Sequence, residues 1–319
     1  MKALITGITG FVGGHLARHL LDAGDEVLGV SQNGVWPAGF DLPVPLVRCD
    51  LADDLEPAFA ASVEAFAPDV IFHLAALSIP LDCGATASEV GGEPNVAAWN
   101  MNVTGVERLL RLVDRLAKRS RVVFTSSSHV YGTVNVDRPV VDEESPCVPR
   151  TAYGRTKLAA EDLCYRAVRE AEADVVVVRS FPQAGGRQDP RLVLAEWSQA
   201  LAGDVPELLV GNDSVTVDLV DVRDAVRALR LLALHGASGS AYNVGSGTMR
   251  TTGELLSLLQ RTAGDSRPVR ARSHERRSDP VADIRRLQAA TGWKPEIPIE
   301  RTVEVVWNYW RERIRGTSD

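Results

Sequence analysis

Tyr153 and Lys157 stand four residues apart in a stretch whose apolar positions recur at helical spacing, so both side chains fall on one helix face. An ammonium beside a phenol favours the phenolate and draws a pKa that starts near ~10 toward neutral pH. A tyrosine so placed can exchange a proton with an alcohol or a ketone. A hydroxyl from the run Thr125-Ser126-Ser127-Ser128 can hydrogen-bond the same reacting oxygen. The hydride that accompanies such a proton transfer has to come from a bound cofactor.

A site for that cofactor is written at the start of the chain. Gly7-Ile8-Thr9-Gly10-Phe11-Val12-Gly13 follows a short apolar run and opens an amphipathic stretch. In a strand–turn–helix unit, glycines make the tight turn and admit the backbone to a pyrophosphate, while the helix N-terminus offers free N–H groups to the anion. An NAD site usually has an acidic residue at the end of the second strand to hold the ribose hydroxyls. This chain has Val30-Ser31-Gln32-Asn33 there. With no carboxylate to repel a 2′-phosphate, NADP is expected, with NAD possible. Asp50-Leu51 is expected beside the adenine, and Leu74-Ala75-Ala76 supplies small residues where the cofactor lies flat on the strand ends.

The elements that carry these residues follow from periodicity. Apolar runs at Lys2–Thr6, Glu26–Val30, Pro45–Arg48, Asp69–His73, Arg121–Thr125 and Asp174–Arg179 read as strands covered on both faces. Helices are expected at Phe11–Ala23, Leu55–Phe66, Ala98–Lys118 and Tyr153–Ala171. The alternation predicts an α/β fold, a Rossmann-like doubly wound parallel sheet over residues 1–179. After a loop at Ser180–Pro190 the pattern turns mixed, with helices at Arg191–Ala202, Val222–His235, Thr252–Ala263 and Ile299–Arg313 and a strand at Ala241–Val244. Residues 180–319 are therefore expected to form mainly a smaller mixed α/β substrate domain that covers the end of the sheet. The stretch near 215–245 is expected to return to the first domain.

The 319 residues carry a net charge of −7, which argues against nucleic acid or an anionic membrane as partner. No apolar run reaches the ~18 residues of a membrane span, and Met1–Thr6 reads as a buried strand rather than a secretion signal. Cys49, Cys83, Cys147 and Cys164 are scattered, without metal-site spacing, as in a reduced cytoplasmic protein that holds no metal.

Gly7–Gly13, Asp50-Leu51, His73–Ala76, Asn102-Val103-Thr104-Gly105, Ser126–Gly132, Tyr153–Lys157 and Asp221-Val222-Arg223-Asp224 occur in the order of the extended short-chain dehydrogenase/reductase family, which nearly the whole chain resembles. The resemblance implies that Ser127, four residues before Tyr131 of Val130-Tyr131-Gly132, is the catalytic hydroxyl. It implies that Asn102 braces the catalytic helix and that Phe181 joins the cofactor residues. It also implies homodimers, in which helices matching Ala98–Lys118 and Tyr153–Ala171 form a four-helix bundle.

Within the family, 4,6-dehydratases carry Asp-Glu after the catalytic hydroxyl, and Ser128-His129 stands here instead. The remaining readings are a reductase of a nucleotide-linked 4-keto sugar and a 4-epimerase that retains NAD. Ala241–Gly247 and Thr291–Pro295 look most like GDP-6-deoxy-4-keto-mannose reductases. Two departures point elsewhere: Pro182 stands where such enzymes have an asparagine against the diphosphate, and Val217 where they often have an arginine. These suit a substrate without a nucleotide. A binding-only member that senses the cofactor ratio would not need Ser127, Tyr153 and Lys157. The residues expected at the substrate are Ser78, Ser128, His129, Arg187 and Arg276, with Arg187 and Arg191 as replacements for the lost phosphate contacts. The Leu77–Asn95 segment, rich in small residues, is expected to hang nearby.

Overall fold

The computed structural model describes residues 1–84, 92–203 and 205–315. Seven parallel strands form the central sheet, in the spatial order Ala241–Val244, Val175–Ser180, Arg121–Ser127, Val70–His73, Lys2–Thr6, Glu26–Ser31, Leu46–Arg48. Val175–Ser180 shows why they sit in the interior: four consecutive valines, all buried, need apolar cover on both faces. One face is closed by the helices Phe11–Asp22 and Val222–His235, with Leu16, Leu20, Val226 and Leu229 in a common core. The other carries Phe59, Val63, Leu109 and Ala160 from Pro57–Phe66, Gly105–Arg115 and Ala152–Ala171. Strand order reverses at Lys2–Thr6, with the second and third strands on one side and the fourth on the other. A crevice opens there at the carboxyl ends.

The expected helix over Ala98–Lys118 is not uniform. Val96–Trp99 runs into a wider π turn at Asn100–Thr104 before the regular Gly105–Arg115. Two contacts account for it. Asn102 exchanges hydrogen bonds with the Leu77 backbone, its Oδ1 accepting and its Nδ2 donating, each at 2.9 Å. Gly105 lies against Leu51, where a Cβ would come within 2.9 Å of the Leu51 carbonyl oxygen. The π turn places both residues where those neighbours need them.

A third core lies beyond the sheet's carboxyl edge. Trp197, Leu201, Leu255, Leu259, Val303 and Trp307 pack there from the helices Val193–Ala202, Thr252–Ala263 and Ile299–Arg315. The middle helix is fixed at both ends, by a Thr251–Glu254 capping box and by Gly264 in the left-handed conformation. The stretch expected as a loop, Ser180–Pro190, contains a short strand, Gln183–Ala184, paired in parallel with Val220–Asp221. Among the described residues no helix is long and apolar enough to cross a membrane.

Candidate active site

A cleft of about 720 Å³ runs along the carboxyl ends of the strands and under the third core. Its floor begins at the glycine turn. Gly7 sits at φ +71°, and a Cβ there would lie 2.8 Å from the Ala75 nitrogen, so the first and fourth strands approach only because the side chain is absent. A Cβ on Gly13 would lie 2.2 Å from the Gly7 carbonyl oxygen, which sets how closely the first helix approaches its strand. Gly10 instead packs loosely, with one atom, 3.2 Å away, near its missing Cβ. Gly7, Thr9, Gly10, Phe11, Val12 and Gly13 all line the cleft, as do Ser31, Gln32, Leu51, Leu74, Ala75, Ala76 and Phe181. Asn33 and Asp50 do not. Asn33 is exposed, and Asp50 accepts from Gln32 Nε2 at 2.6 Å and from the Ala52 N–H at 3.0 Å. A helix N-terminus facing a crevice stripped of Cβ atoms fits a dinucleotide.

Ser127, Tyr153 and Lys157 meet in this cleft, buried at the end of the fifth strand. Thr151 caps the helix Ala152–Ala171 by accepting from the Gly154 N–H at 3.0 Å, which puts Tyr153 in its first turn. Asn102 steadies the same turn, donating to Thr156 Oγ1 at 3.0 Å. Ser127 lies close enough to the Tyr153 phenol to lower its pKa. Ser127 Oγ also accepts from the His129 N–H at 3.2 Å, so the short turn after the strand holds the serine in place.

The electrostatics differ from the expectation at one point. Burial raises the Tyr153 phenol above its ordinary value, against a smaller lowering by Ser127, so the group is held neutral. Lys157 does not supply the lowering expected from sequence. Its Nζ donates to the Thr125 carbonyl at 2.8 Å and lies 5.9 Å from the centre of the Tyr153 ring. Burial pulls its own pKa down to about 8, opposed by the neighbouring Cys164, Cys83 and Glu161.

The substrate end of the cleft holds Ser78, Ser128, His129, Pro182, Val217, Leu219 and Asp279. His129 stands edge-on to Tyr153, ring centres 5.5 Å apart, with Nδ1 3.4 Å from Thr151 Oγ1. Burial lowers its pKa, so the imidazole is neutral at pH 7. Asp279 went unnoticed in the sequence because nothing local marks it. It is open to solvent at the rim yet walled by protein, and its carboxyl is raised by desolvation, against smaller lowering by His129 and Arg277.

The two arginines expected at the substrate are not brought there. Arg187 turns away: its guanidinium lies 3.3 Å above the Phe40 ring and donates to the Thr9 carbonyl at 3.2 Å, packed against the open side of Gly14. Arg276 is exposed beside Asp137, at 3.4 Å. Arg191 is held by Asp82 and Asp189 at 2.9 and 3.0 Å. Among the described residues, Lys157 and Asp279 are the only lysine, arginine, aspartate or glutamate side chains lining the cleft, with His129 beside them. Of the Leu77–Asn95 segment, Leu77–Pro80 line the cleft, while 85–91 lie outside the described residues.

Beneath the site, Glu161 accepts from Ser126 Oγ at 2.5 Å and from Arg179 at 2.8 Å, and Arg179 donates on to Tyr131 and the Glu143 carbonyl. This buried network joins the strand that carries Ser127 to the helix that carries Tyr153 and Lys157. Sequence reading missed it, although Glu161 continues the same four-residue spacing.

Comparison with known proteins agrees with this geometry. Residues 3–245 match the NAD dependent epimerase/dehydratase family. The chain is 31% identical to the GDP-6-deoxy-D-mannose reductase of Pseudomonas aeruginosa, over 98% of each chain. It is 28% identical to the UDP-glucose 4-epimerase of Halalkalibacterium halodurans, over 100% of this chain and 98% of that one. A solved structure of RMD from Pseudomonas aeruginosa complexed with NADPH superposes with a TM-score of 0.83 at 28% identity, covering 98% of each chain. The chain belongs to the NAD dependent epimerase/dehydratase family, the extended short-chain dehydrogenases/reductases.

Proposed function

We propose that the protein is an NADPH-dependent reductase that converts the 4-keto group of a nucleotide-linked 4-keto-6-deoxyhexose, GDP-linked by preference, to an alcohol. The observation that carries the reading is the meeting of Ser127, Tyr153 and Lys157 at the cleft end of the fifth strand, beside the glycine turn; the choice of reduction rests on the likeness to a reductase. A reduced nicotinamide, when bound, supplies a hydride to the carbonyl carbon. Tyr153 donates its phenolic proton to the carbonyl oxygen as the negative charge develops there. Ser127 donates a second hydrogen bond to the same oxygen. Lys157, anchored on the Thr125 carbonyl, stabilises the tyrosinate left behind and is placed to hold ribose hydroxyls. The relationship to a GDP-6-deoxy-D-mannose reductase supports the choice of sugar.

The reductase and epimerase readings separate on cofactor traffic. A reductase consumes NADPH in proportion to product and is purified without tightly held NAD. An epimerase carries NAD through purification and turns over with none added. The expected result is NADPH consumption with GDP-4-keto-6-deoxymannose; turnover of UDP-glucose on retained NAD overturns the reductase assignment.

A second reading is favoured by the cleft wall. Val217 and Pro182 stand there, and no arginine lines it among the described residues, which suits a ketone without a diphosphate. Thermal-shift screening with GDP-, UDP-, dTDP- and CDP-sugars in the presence of NADPH distinguishes the two. A shift with at least one supports the nucleotide-linked substrate, and no shift with any favours the second reading. We further take the protein to be a cytoplasmic homodimer joined through the helices over 98–118 and 153–171, with the neighbouring exposed Val96 and Trp99 available to such a bundle. A monomeric solution mass contradicts the dimer.

A further inference from the structure

Ser31 and Gln32 line the end of the cleft beyond the glycine turn, and the strand partner of Ser31, itself outside that lining, is a residue that the order of the sequence hides. Arg48 ends the third strand, seventeen positions after Ser31, yet the two are direct partners in the parallel register. The Cys49 N–H donates to the Ser31 carbonyl at 3.0 Å and locks that register to its last residue. Two positions earlier Gly29 faces Leu46, and a Cβ there would meet Leu46 and Ile8 of the phosphate turn. Side chains two apart in a strand share a face, so Ser31 and Arg48 lie on the face that carries the turn.

The chain after Ser31 then folds back over the arginine. The Gly34 N–H donates to Ser31 Oγ at 3.0 Å, with Gly34 at φ +69°. A Cβ on Gly34 would lie 3.0 Å from the Arg48 Cβ, so the turn packs on the base of that side chain. Arg48 is exposed, and among the described residues its guanidinium has no hydrogen-bond or ion-pair partner. Ser31 Oγ accepts from Gly34 and keeps its own proton to donate. The carboxylate nearest in sequence, Asp50, is engaged at one oxygen by Gln32 and at the other by Ala52.

We propose that Arg48, with the Ser31 hydroxyl, is the receptor for the 2′-phosphate of NADPH and sets the preference for NADPH over NADH. A 2′-phosphomonoester is close to dianionic at neutral pH, and a free guanidinium meets it with two parallel N–H donors. An unphosphorylated ribose offers Arg48 no charge to bind. This assignment rests on reading Gly7–Gly13 as the dinucleotide turn, and it deepens that reading by naming the residue that selects the cofactor.

Calorimetric titration of the full-length protein with 2′,5′-ADP and with 5′-AMP tests it, because these fragments differ by the phosphate in question and need no turnover. The wild type is expected to bind 2′,5′-ADP at least tenfold more tightly than 5′-AMP. Arg48→Ala should remove most of that difference while leaving 5′-AMP affinity within about twofold, and Arg48→Lys should restore part of it. Equal weakening of both ligands in Arg48→Ala, or an unchanged preference, overturns the assignment while the dinucleotide site stands. Failure of the wild type to bind either fragment or NADPH overturns the dinucleotide reading and this assignment together.

Discussion

Lys157 Nζ donates to the main-chain carbonyl of Thr125, so this lysine is moored to the strand that bears Ser127. Among the described residues no carboxylate is bonded to the ammonium, and burial lowers its pKa from 10.5 to about 8. Between those values the unfolded chain binds a proton that the native state does not, so stability contributed by this group rises with pH from about 8 toward 10.5. Below about 8 both states are protonated and the full cost of burying the charge is present.

Replacing Lys157 with Met should therefore raise thermal stability near pH 7 while abolishing turnover. The stability gap between variant and wild type should narrow as pH increases through 8 to 10. Melting curves across that range check it; a gap independent of pH contradicts a buried, titrating lysine.

The three turn glycines should respond differently to substitution. Gly13→Ala places a methyl 2.2 Å from a backbone oxygen and should cost about 1–3 kcal/mol of stability. Gly10→Leu meets little protein and projects where the cofactor approaches, so it should abolish NADPH binding while leaving the melting temperature nearly unchanged. Denaturant unfolding alongside NADPH titration separates these effects. Tight NADPH binding by Gly10→Leu contradicts the phosphate-turn reading.

The Glu161–Arg179 pair is buried on both sides, with 0% and 7% of the two side chains exposed. Arg179→Met leaves a carboxylate without its partner under the active site and should cost about 3–5 kcal/mol. Changing Glu161 to Gln and Arg179 to Met together should cost less than the sum of the single changes. Urea unfolding of the four proteins in the cycle measures this; additive losses contradict a coupled pair.

Much of this arrangement was legible because it depends on local pattern. The valine run at 175–178 and the glycine turn at 7–13 specify a strand and a strand–helix turn whatever surrounds them. Tyr153 and Lys157 share a face through helical periodicity alone. The parallel sheet followed from the alternation of strand and helix patterns, whereas the choice of Ser127 as the hydroxyl that meets Tyr153 came from family resemblance. Arg187 misled because its direction is set by a backbone at φ +72° and by Phe40, distant in sequence. Asp279 and Arg48 were missed for a related reason. Their positions depend on segments that meet only in three dimensions, one across the cleft and one across a strand pair. The expected lowering of the Tyr153 pKa failed because spacing places a lysine nearby but does not reveal that its ammonium turns to Thr125.

The most direct test of the central claim, that Tyr153 is the proton donor of a nicotinamide-dependent reduction, is NADPH consumption by Tyr153→Phe compared with wild type in the presence of GDP-4-keto-6-deoxymannose. The wild type should consume NADPH in proportion to the alcohol formed. The variant should consume essentially none, while its NADPH affinity stays within a few-fold. Full turnover by Tyr153→Phe would contradict the assignment.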